Sequence, residues 1–508
     1  MAVNQIKAGV VLNYVTIGLN TLVGLLYTPY MLRMLGQNEY GLYSLVASVI
    51  AYLTVLDFGF GNAIIRYTAK FRAEGKQDEQ YSMFGMFLIL YSVIGLLVFA
   101  IGSALYFNVD RLFGDTMSPT DLDQARVLII ILLINLAFTF PLSIFGSIIT
   151  AYENFVFKKV LQIVRVVLNT TVMIVILHFG YKAIGLAVVQ TIFNLSSLLV
   201  DLFYCKYKIK IKIKFGRFRW GFLKEVAIYS FWIFLNVIMD KIYWGTGQFV
   251  LGSISGTIAV AIFSVAIQLE SMYMTFSTAV SSVFLPRVTA MVANNRSNTE
   301  ISNLFIRTGR IQHIVMAFIL SGFIVFGRQF VAIWAGRGYD EVYAVTLMFF
   351  VALFIPLIQN LGVTILQARN QMKFRSLLYL AISLTSLGLQ IVGTKLFGVY
   401  GCAIAVAGAL IVGQGLVMNI YYHKVQRINI VKFWKEIGKM SIVPILFVII
   451  GLLLIKADTC NQPLSLIVGI VIYSTLYLPV FWNFSMNDEE RQLVCSPLLK
   501  VKLKLLHK

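Results

Sequence analysis

The chain has 508 residues, 59% of them apolar and only 13% charged, with a formal charge of +20. A soluble chain of this size would carry roughly twice that charged fraction, so a water-soluble globular fold is excluded. The positive charge does not indicate nucleic acid either, because the basic residues flank apolar runs of membrane-spanning length.

The pattern is that of an all-α polytopic membrane protein. "MAVNQIKAG" leads straight into the first apolar run without a small-residue cleavage site, so that run is expected to remain as its own insertion signal. Fourteen transmembrane helices are expected. The first six fall at approximately 8–32, 40–64, 81–107, 125–150, 160–180 and 184–204. After the basic stretch "KYKIKIKIKFGRFRWGFLK" (206–224) come 225–252, 257–284, 309–333, 342–366, 376–397 and 401–422. A last pair lies at 440–456 and 464–485, before a basic tail over 486–508. With the N-terminus inside, about 32 of the 42 Lys and Arg are cytoplasmic, about 8 are outside and two lie deep in spans. Both termini are therefore expected in the cytoplasm. The basic stretch and the tail read as strips on anionic headgroups. The four cysteines show no metal-ligand spacing, and no cofactor is indicated.

Residues 1–205 and 216–422 are self-similar. "YSLVA" (43–47) answers "FSVAI" (263–267), "RYTA" (66–69) answers "RVTA" (287–290), and "GLAVV" (185–189) answers "GCAIA" (401–405). Pro141-Leu142 in span four answers Pro356-Leu357 in span ten, and the two prolines should bend their spans alike. An even number of spans per copy makes these parallel repeats, related by an axis along the membrane normal. The expected domains are an N-lobe (1–205), a linker (206–224), a C-lobe (225–422) and spans thirteen and fourteen (423–485), with a central cavity between two pseudo-two-fold lobes.

The stretch "YTPYMLRMLGQNEYGLYSLVASVIAYLTVLDFGFGNAIIRYTAKFRAEGK" (27–76), with the later "GLAVV" and "GCAIA", resembles the polysaccharide and O-antigen flippases. These belong to the multidrug/oligosaccharidyl-lipid/polysaccharide exporter superfamily. The resemblance implies a bacterial inner-membrane exporter, not an enzyme. It would carry undecaprenyl-diphosphate-linked oligosaccharide from the inner to the outer leaflet by alternating access, with a polysaccharide polymerase as an implied partner. Lipid II flippases are relatives with an Arg-rich first span, and here no Arg or Lys lies between Lys7 and Arg33.

A diphosphate crossing hydrocarbon needs cations in a hydrated path. Arg165 in span five, near the inner mouth, and Lys241, mid-depth in span seven, are the candidate diphosphate ligands; for Arg165 the competing reading is snorkelling to the headgroups. Asp240, Glu270 and Asp57 are candidates for ion coupling. The alternatives are a static pair between spans seven and eight, and, for Asp57, bonding to backbone freed beside Gly59 and Gly61. Arg66 and Arg287, at equivalent repeat positions, are interfacial anchors or inner-mouth gates. Asn13, Asn135, Asn169, Asn194 and other polar span residues either glue helices or meet sugar hydroxyls. Two rival functions remain. A cation-coupled multidrug exporter would share the architecture but prefer an acidic cavity. A membrane polysaccharide polymerase would need a larger outer loop than any here.

Overall fold

The computed structural model describes residues 5–216, 220–282, 284–454 and 462–492. Among the described residues every regular element is helical. In a bilayer this is a physical requirement, since each backbone N–H and C=O must find its partner within the segment.

Contacts group the chain into two compact units. The first comprises residues 1–264 with 390–402, the second 265–389 with 403–508. The first unit opens with α1 (Gln5–Leu53), kinked at Gly36, where φ is +74°. A 3₁₀ turn (Thr54–Asp57) and the left-handed pair Phe58-Gly59 separate it from α2 (Phe60–Ala73). Then come α3 (Gln77–Phe107), the short α4 (Val109–Phe113) and α5 (Pro119–Ala151). A capping box between Ser118 and Asp121, with Pro119 at the first helical position, starts α5. It is followed by α6 (Phe155–His178) and α7 (Ala183–Tyr204), which ends in a π-helical turn, Cys205–Ile209. Next are α8 (Trp220–Asp240), a second π-turn (Lys241–Gly245), α9 (Thr246–Ile254) and α10 (Thr257–Ser282), of which residues up to Ser264 belong here. α5 is the centre of this unit, packing on α2, α3 and α7, while α6 lies against α1 and α7.

The second unit contains the rest of α10, α11 (Leu285–Ala293), α12 (Asn298–Trp334), α13 (Asp340–Ile358) and α14 (Leu361–Ala368). It continues with α15 (Lys373–Leu410), kinked at Phe397-Gly398, a π-helical stretch (Ile411–Val417) and α16 (Met418–Lys424). α17 (Ile430–Leu454) and α18 (Pro463–Phe484) complete it. α12 is the hub, packing on α13, α17 and α18. Val325 and Phe326 of α12 meet Met440 and Val443 of α17 and Tyr473, Tyr477 and Phe481 of α18. Arg310 adds a polar tie: Nε and Nη2 donate to Glu490 at 2.6 and 3.0 Å, and Nη1 donates to Glu436 at 2.8 Å.

Among the described residues, eleven helices are long and apolar enough to cross a membrane. Two of them, Val11–Ala73 and Lys373–Lys424, run to 63 and 52 residues, and each contains two of the expected spans. Their kinks at Gly36 and Phe397-Gly398 fall where those spans were expected to meet. The expected span at 225–252 is not among the eleven, and its helix is interrupted by the π-turn. The two prolines do not act alike. α5 continues past Pro141 for ten residues, whereas α13 ends two residues after Pro356, and a turn leads into α14.

The backbone carries a recurrence of its own. Left-handed residues recur in pairs 217 to 220 positions apart: Gly36 and Gly256, Gly75 and Asn295, Glu153 and Asn370, Gly180 and Gly398, Lys210 and Arg427. The hydrogen bonds recur with them. Gly75 N–H donates to the Arg72 carbonyl and Lys76 N–H to Phe71; Asn295 and Arg296 do the same to Val292 and Met291. Glu153 and Asn154 bond Thr150 and Ile149, as Asn370 and Gln371 bond Gln367 and Leu366. Each is the nested six-to-one and five-to-two closure of a helix end.

Candidate functional site

The richest polar constellation of the first unit lies where α7 meets α5 and α6. Gln190, Asn194, Ser197 and Asp201 are spaced so that they share one face of α7, extending about 16 Å along it. Tyr43 of α1 donates to Gln190 Oε1 at 2.5 Å. Asn194 Nδ2 donates to Asn135 Oδ1 and Thr139 Oγ1 of α5 at 2.7 and 2.8 Å, the helix-gluing role. Ser197 Oγ accepts from Arg165 Nη1 at 3.4 Å, and Asp201 Oδ2 accepts from Lys158 Nζ. Gly146 of α5 provides the space: a Cβ there would lie 2.7 Å from Lys158 Nζ and 3.2 Å from Asp201 Oδ2.

Arg165 is thus half-buried beside an acid that the sequence reading did not single out, and it interacts electrostatically with Asp201. Asp201 is buried, and its Oδ1 accepts no hydrogen bond among the described residues. Two cations and one carboxylate leave a net positive charge. Such a cluster can hold an anion if the anion displaces part of the Lys158–Asp201 contact. The signal was in the sequence, as the polar period "QTIFNLSSLLVD" (190–201). Lys158, its partner, is 43 residues away on another helix and could not be read from spacing.

Lys241 opens the π-turn that follows α8, and its side chain is half-buried, while Asp240 before it is exposed. The wider turn changes the direction in which successive side chains project, and such turns concentrate at functional positions. Thr246 closes it, with Oγ1 2.6 Å from both the Ile242 carbonyl and the Tyr52 hydroxyl of α1. α6, carrying Arg165, packs on α1, α5 and α7; the π-turn packs on α1, α8 and α9. The two expected diphosphate ligands are therefore on different elements of the same unit, both of which pack on α1.

Asp57 ends the 3₁₀ turn, accepts from the Tyr91 hydroxyl at 2.6 Å and takes a backbone hydrogen bond from Gly59. This is the geometry expected of a carboxylate satisfying a broken helix. Arg66 is exposed on α2, its guanidinium 5.8 Å from the Tyr67 ring, and Tyr67 donates to Glu225 of α8 at 2.9 Å. In the second unit Arg287 is exposed on α11. Glu270 is buried in α10, at 3% exposure, with Oε1 unbonded among the described residues. The basic stretch after α7 has no regular secondary structure over 211–216, with Ile209, Ile211 and Ile213 half-buried and Lys210, Lys212 and Lys214 exposed. Lys214 Nζ lies 2.7 Å from Asp78, which holds that carboxyl below the usual range. Residues 217–219 and the tail from 493 lie outside the described residues.

Residues 6–292, more than half of the chain, match the family described as polysaccharide biosynthesis protein. The chain belongs to that family. Similar proteins and solved structures extend the likeness over nearly the whole length. A putative O-antigen transporter of Shigella flexneri is 21% identical over 415 residues, 79% of this chain and 94% of that protein. The uncharacterized membrane protein EpsK of Bacillus subtilis (strain 168) is 21% identical over 494 residues, 94% of each chain. Among solved structures, the lipid II flippase MurJ in an inward closed conformation has a TM-score of 0.73 at 15% identity, covering 94% of this chain and 98% of that one. An inward-facing multidrug resistance MATE family transporter of the MOP superfamily has a TM-score of 0.65 at 14% identity, covering 82% and 96%. This polysaccharide biosynthesis family member is thus a multi-pass membrane protein with the fold of those exporters. The flippase resemblance of its sequence holds, and the proteins it resembles are transporters rather than enzymes.

Proposed function

We propose that the protein flips a diphosphate-linked oligosaccharide lipid, an O-antigen, capsule or similar surface polysaccharide unit, from the inner to the outer leaflet of the bacterial inner membrane. The observation that carries this reading is the family match over 6–292, a stretch that includes both Arg165 and Lys241. Two lobes, in the six-plus-six-plus-two plan, expose the substrate path alternately to each side. The paired left-handed turns support the two-lobe plan. Arg165, with Lys158, receives the diphosphate near the inner mouth, and Lys241 holds it deeper. Arg66 and Arg287 gate or anchor the inner ends of their spans. The alternating Ile/Lys stretch rests on anionic headgroups, and a polysaccharide polymerase receives the product.

The test is a complementation assay in cells lacking the protein. Loss should cause lipid-linked oligosaccharide to accumulate in the inner leaflet, and the wild-type gene should clear it. Lys241→Ala should reduce export by at least about tenfold, the scale of one charge-assisted hydrogen bond. Normal export by both Lys241→Ala and Arg165→Ala would end the diphosphate assignment.

A second reading is cation-coupled multidrug export, favoured by the buried Glu270 carboxyl with its unbonded oxygen. Under either reading Glu270 is the foremost candidate for ion coupling, ahead of Asp240 and Asp57. Collapsing the proton and sodium gradients in vesicles distinguishes a coupled exporter, which stops, from an uncoupled flippase, which continues.

A further inference from the structure

The second unit holds a polar cavity of about 350 Å³ that none of the assignments above uses. Three chain reversals meet there, after α11, α14 and α16, and each contributes an arginine: Arg296, Arg369 and Arg427. Asn298, Gln371 and Gln426 supply neutral polar groups, and no carboxylate lines the cavity. All three reversals lie on the side that the Lys/Arg bias makes cytoplasmic.

Arg369 is the fixed member. Nη1 donates to the Gln426 carbonyl and side-chain oxygens at 3.0 and 2.9 Å, and Nη2 donates to Asn298 Oδ1 at 2.8 Å. Every acceptor is neutral, so the guanidinium is oriented without being neutralised. Two of its five N–H groups donate to nothing among the described residues. Burial alone lowers its pKa, with no carboxylate opposing the shift. Among the described residues Arg296 has as its acid the exposed Glu300, 3.6 Å away, and Arg427 is exposed and held in the left-handed region at φ +55°.

The corresponding reversals of the first unit lack this feature. One residue before the left-handed position, Tyr152 stands where Arg369 stands in the second copy. The Arg72 guanidinium covers the Tyr152 ring at 4.0 Å, and Gln80 donates to its hydroxyl at 2.9 Å. Lys76 pairs with Glu74 at 2.8 Å, and Lys214 pairs with Asp78. In the first copy the counterpart of Arg296, Lys76, is thus paired at 2.8 Å and that of Arg369 is an uncharged tyrosine, whereas the second copy gathers three arginines around an open space.

We propose that this tri-arginine cavity binds a phosphate group, borne by a soluble phosphoester or by an anionic lipid headgroup. Guanidinium forks match phosphate oxygens in pairs, and the pre-oriented Arg369 supplies the first of them. The proposal does not depend on what the protein transports.

The test uses the full-length protein in nanodiscs, with hydrogen exchange read at residues 293–298, 369–372 and 425–428. One arm adds inorganic phosphate or glycerol phosphate in neutral phosphatidylcholine; the other replaces part of that lipid with phosphatidylglycerol. Protection of the three reversals in the first arm supports a soluble ligand, in the second a headgroup, and in both a site open to either. The Arg296→Gln, Arg427→Gln double variant removes two exposed side chains and should fold. It should weaken the protecting interaction by at least about tenfold. No protection in either arm, or the same protection in the double variant, overturns the proposal.

Discussion

Two buried ion clusters, one in each unit, differ in how completely they are closed. In the second unit the Arg310 side chain is 8% exposed and that of Glu490 2%. Both Glu490 oxygens accept from Arg310, Nη1 reaches Glu436, and Nη2 also donates to the Ser485 carbonyl at 3.2 Å. In the first unit Asp201 is equally buried, but Lys158 is 36% exposed; among the described residues Asp201 Oδ1 is unbonded, and Arg165 reaches Ser197 at a long 3.4 Å. A closed cluster has no valence to offer a ligand and acts as an architectural tie. An open one retains charge that a passing phosphate can use. The repeat sharpens the contrast. Counted from the flanking left-handed turns, Arg165 corresponds to Ile382 and Asp201 to Met418, so the second copy carries apolar residues at both places.

The largest effect should come from opening the closed cluster. Arg310→Ala leaves Glu490 and Glu436 without their cation and should cost about 3–5 kcal/mol. It should appear as a lower melting temperature of the solubilised protein and as faster hydrogen exchange in α17 and α18. Replacing Arg310, Glu436 and Glu490 together by Met or Leu should restore most of the loss, because the penalty lies in the orphaned charge rather than in the missing pair.

The open cluster should respond in the opposite way. Arg165→Ile with Asp201→Met gives the first copy the residues of the second. The stability change should stay within about 1 kcal/mol, since Lys158 can turn to water. Export should nevertheless fall at least about tenfold if the cluster receives phosphate. Unchanged export with unchanged melting would reduce the open cluster to a static contact and remove the functional side of the comparison.

Much of this fold was legible because hydrocarbon imposes long apolar runs, and the offset between copies was legible because helix ends demand special residues. Gly36 and Gly256, or Gly75 and Asn295, mark those ends in the sequence as well as in the backbone. What joins the copies' helices sideways was not legible. Asp201 sits in a readable polar period, yet its partner is on α6; Arg310 lies at the edge of the span expected at 309–333, and its acids come from α17 and from the segment after α18. Arg296, Arg369 and Arg427 belong to three separate loops, and only tertiary structure brings them to one cavity. The π-turn at Lys241 was likewise hidden, since the residues of α8 and α9 on either side of it continue an apolar helical pattern. The prolines failed as equivalents because a proline's effect depends on whether the next turn can re-form, as it does after Pro141 but not after Pro356.

The smallest effect on stability should come from one of two glycines 216 residues apart, each of which makes room for the next helix in its own unit. A Cβ on Gly362 would lie 2.5 Å from Cζ and Oη of Tyr422, a buried side chain whose ring packs against Phe305 with centroids 5.8 Å apart. That ring cannot retreat without disturbing its neighbours, so Gly362→Ala should cost about 1–3 kcal/mol despite the helix propensity gained. A Cβ on Gly146 meets instead the far end of Lys158, a flexible chain partly in water. There the gain of about 0.5–1 kcal/mol from replacing glycine within a helix should offset the contact, leaving the melting temperature nearly unchanged. Lys158 would have to swing away from Asp201, however, and that separation makes the variant informative. Faster or slower export by Gly146→Ala at constant stability would mean that the Lys158–Asp201 distance matters to transport, and an unchanged rate would mean that it does not.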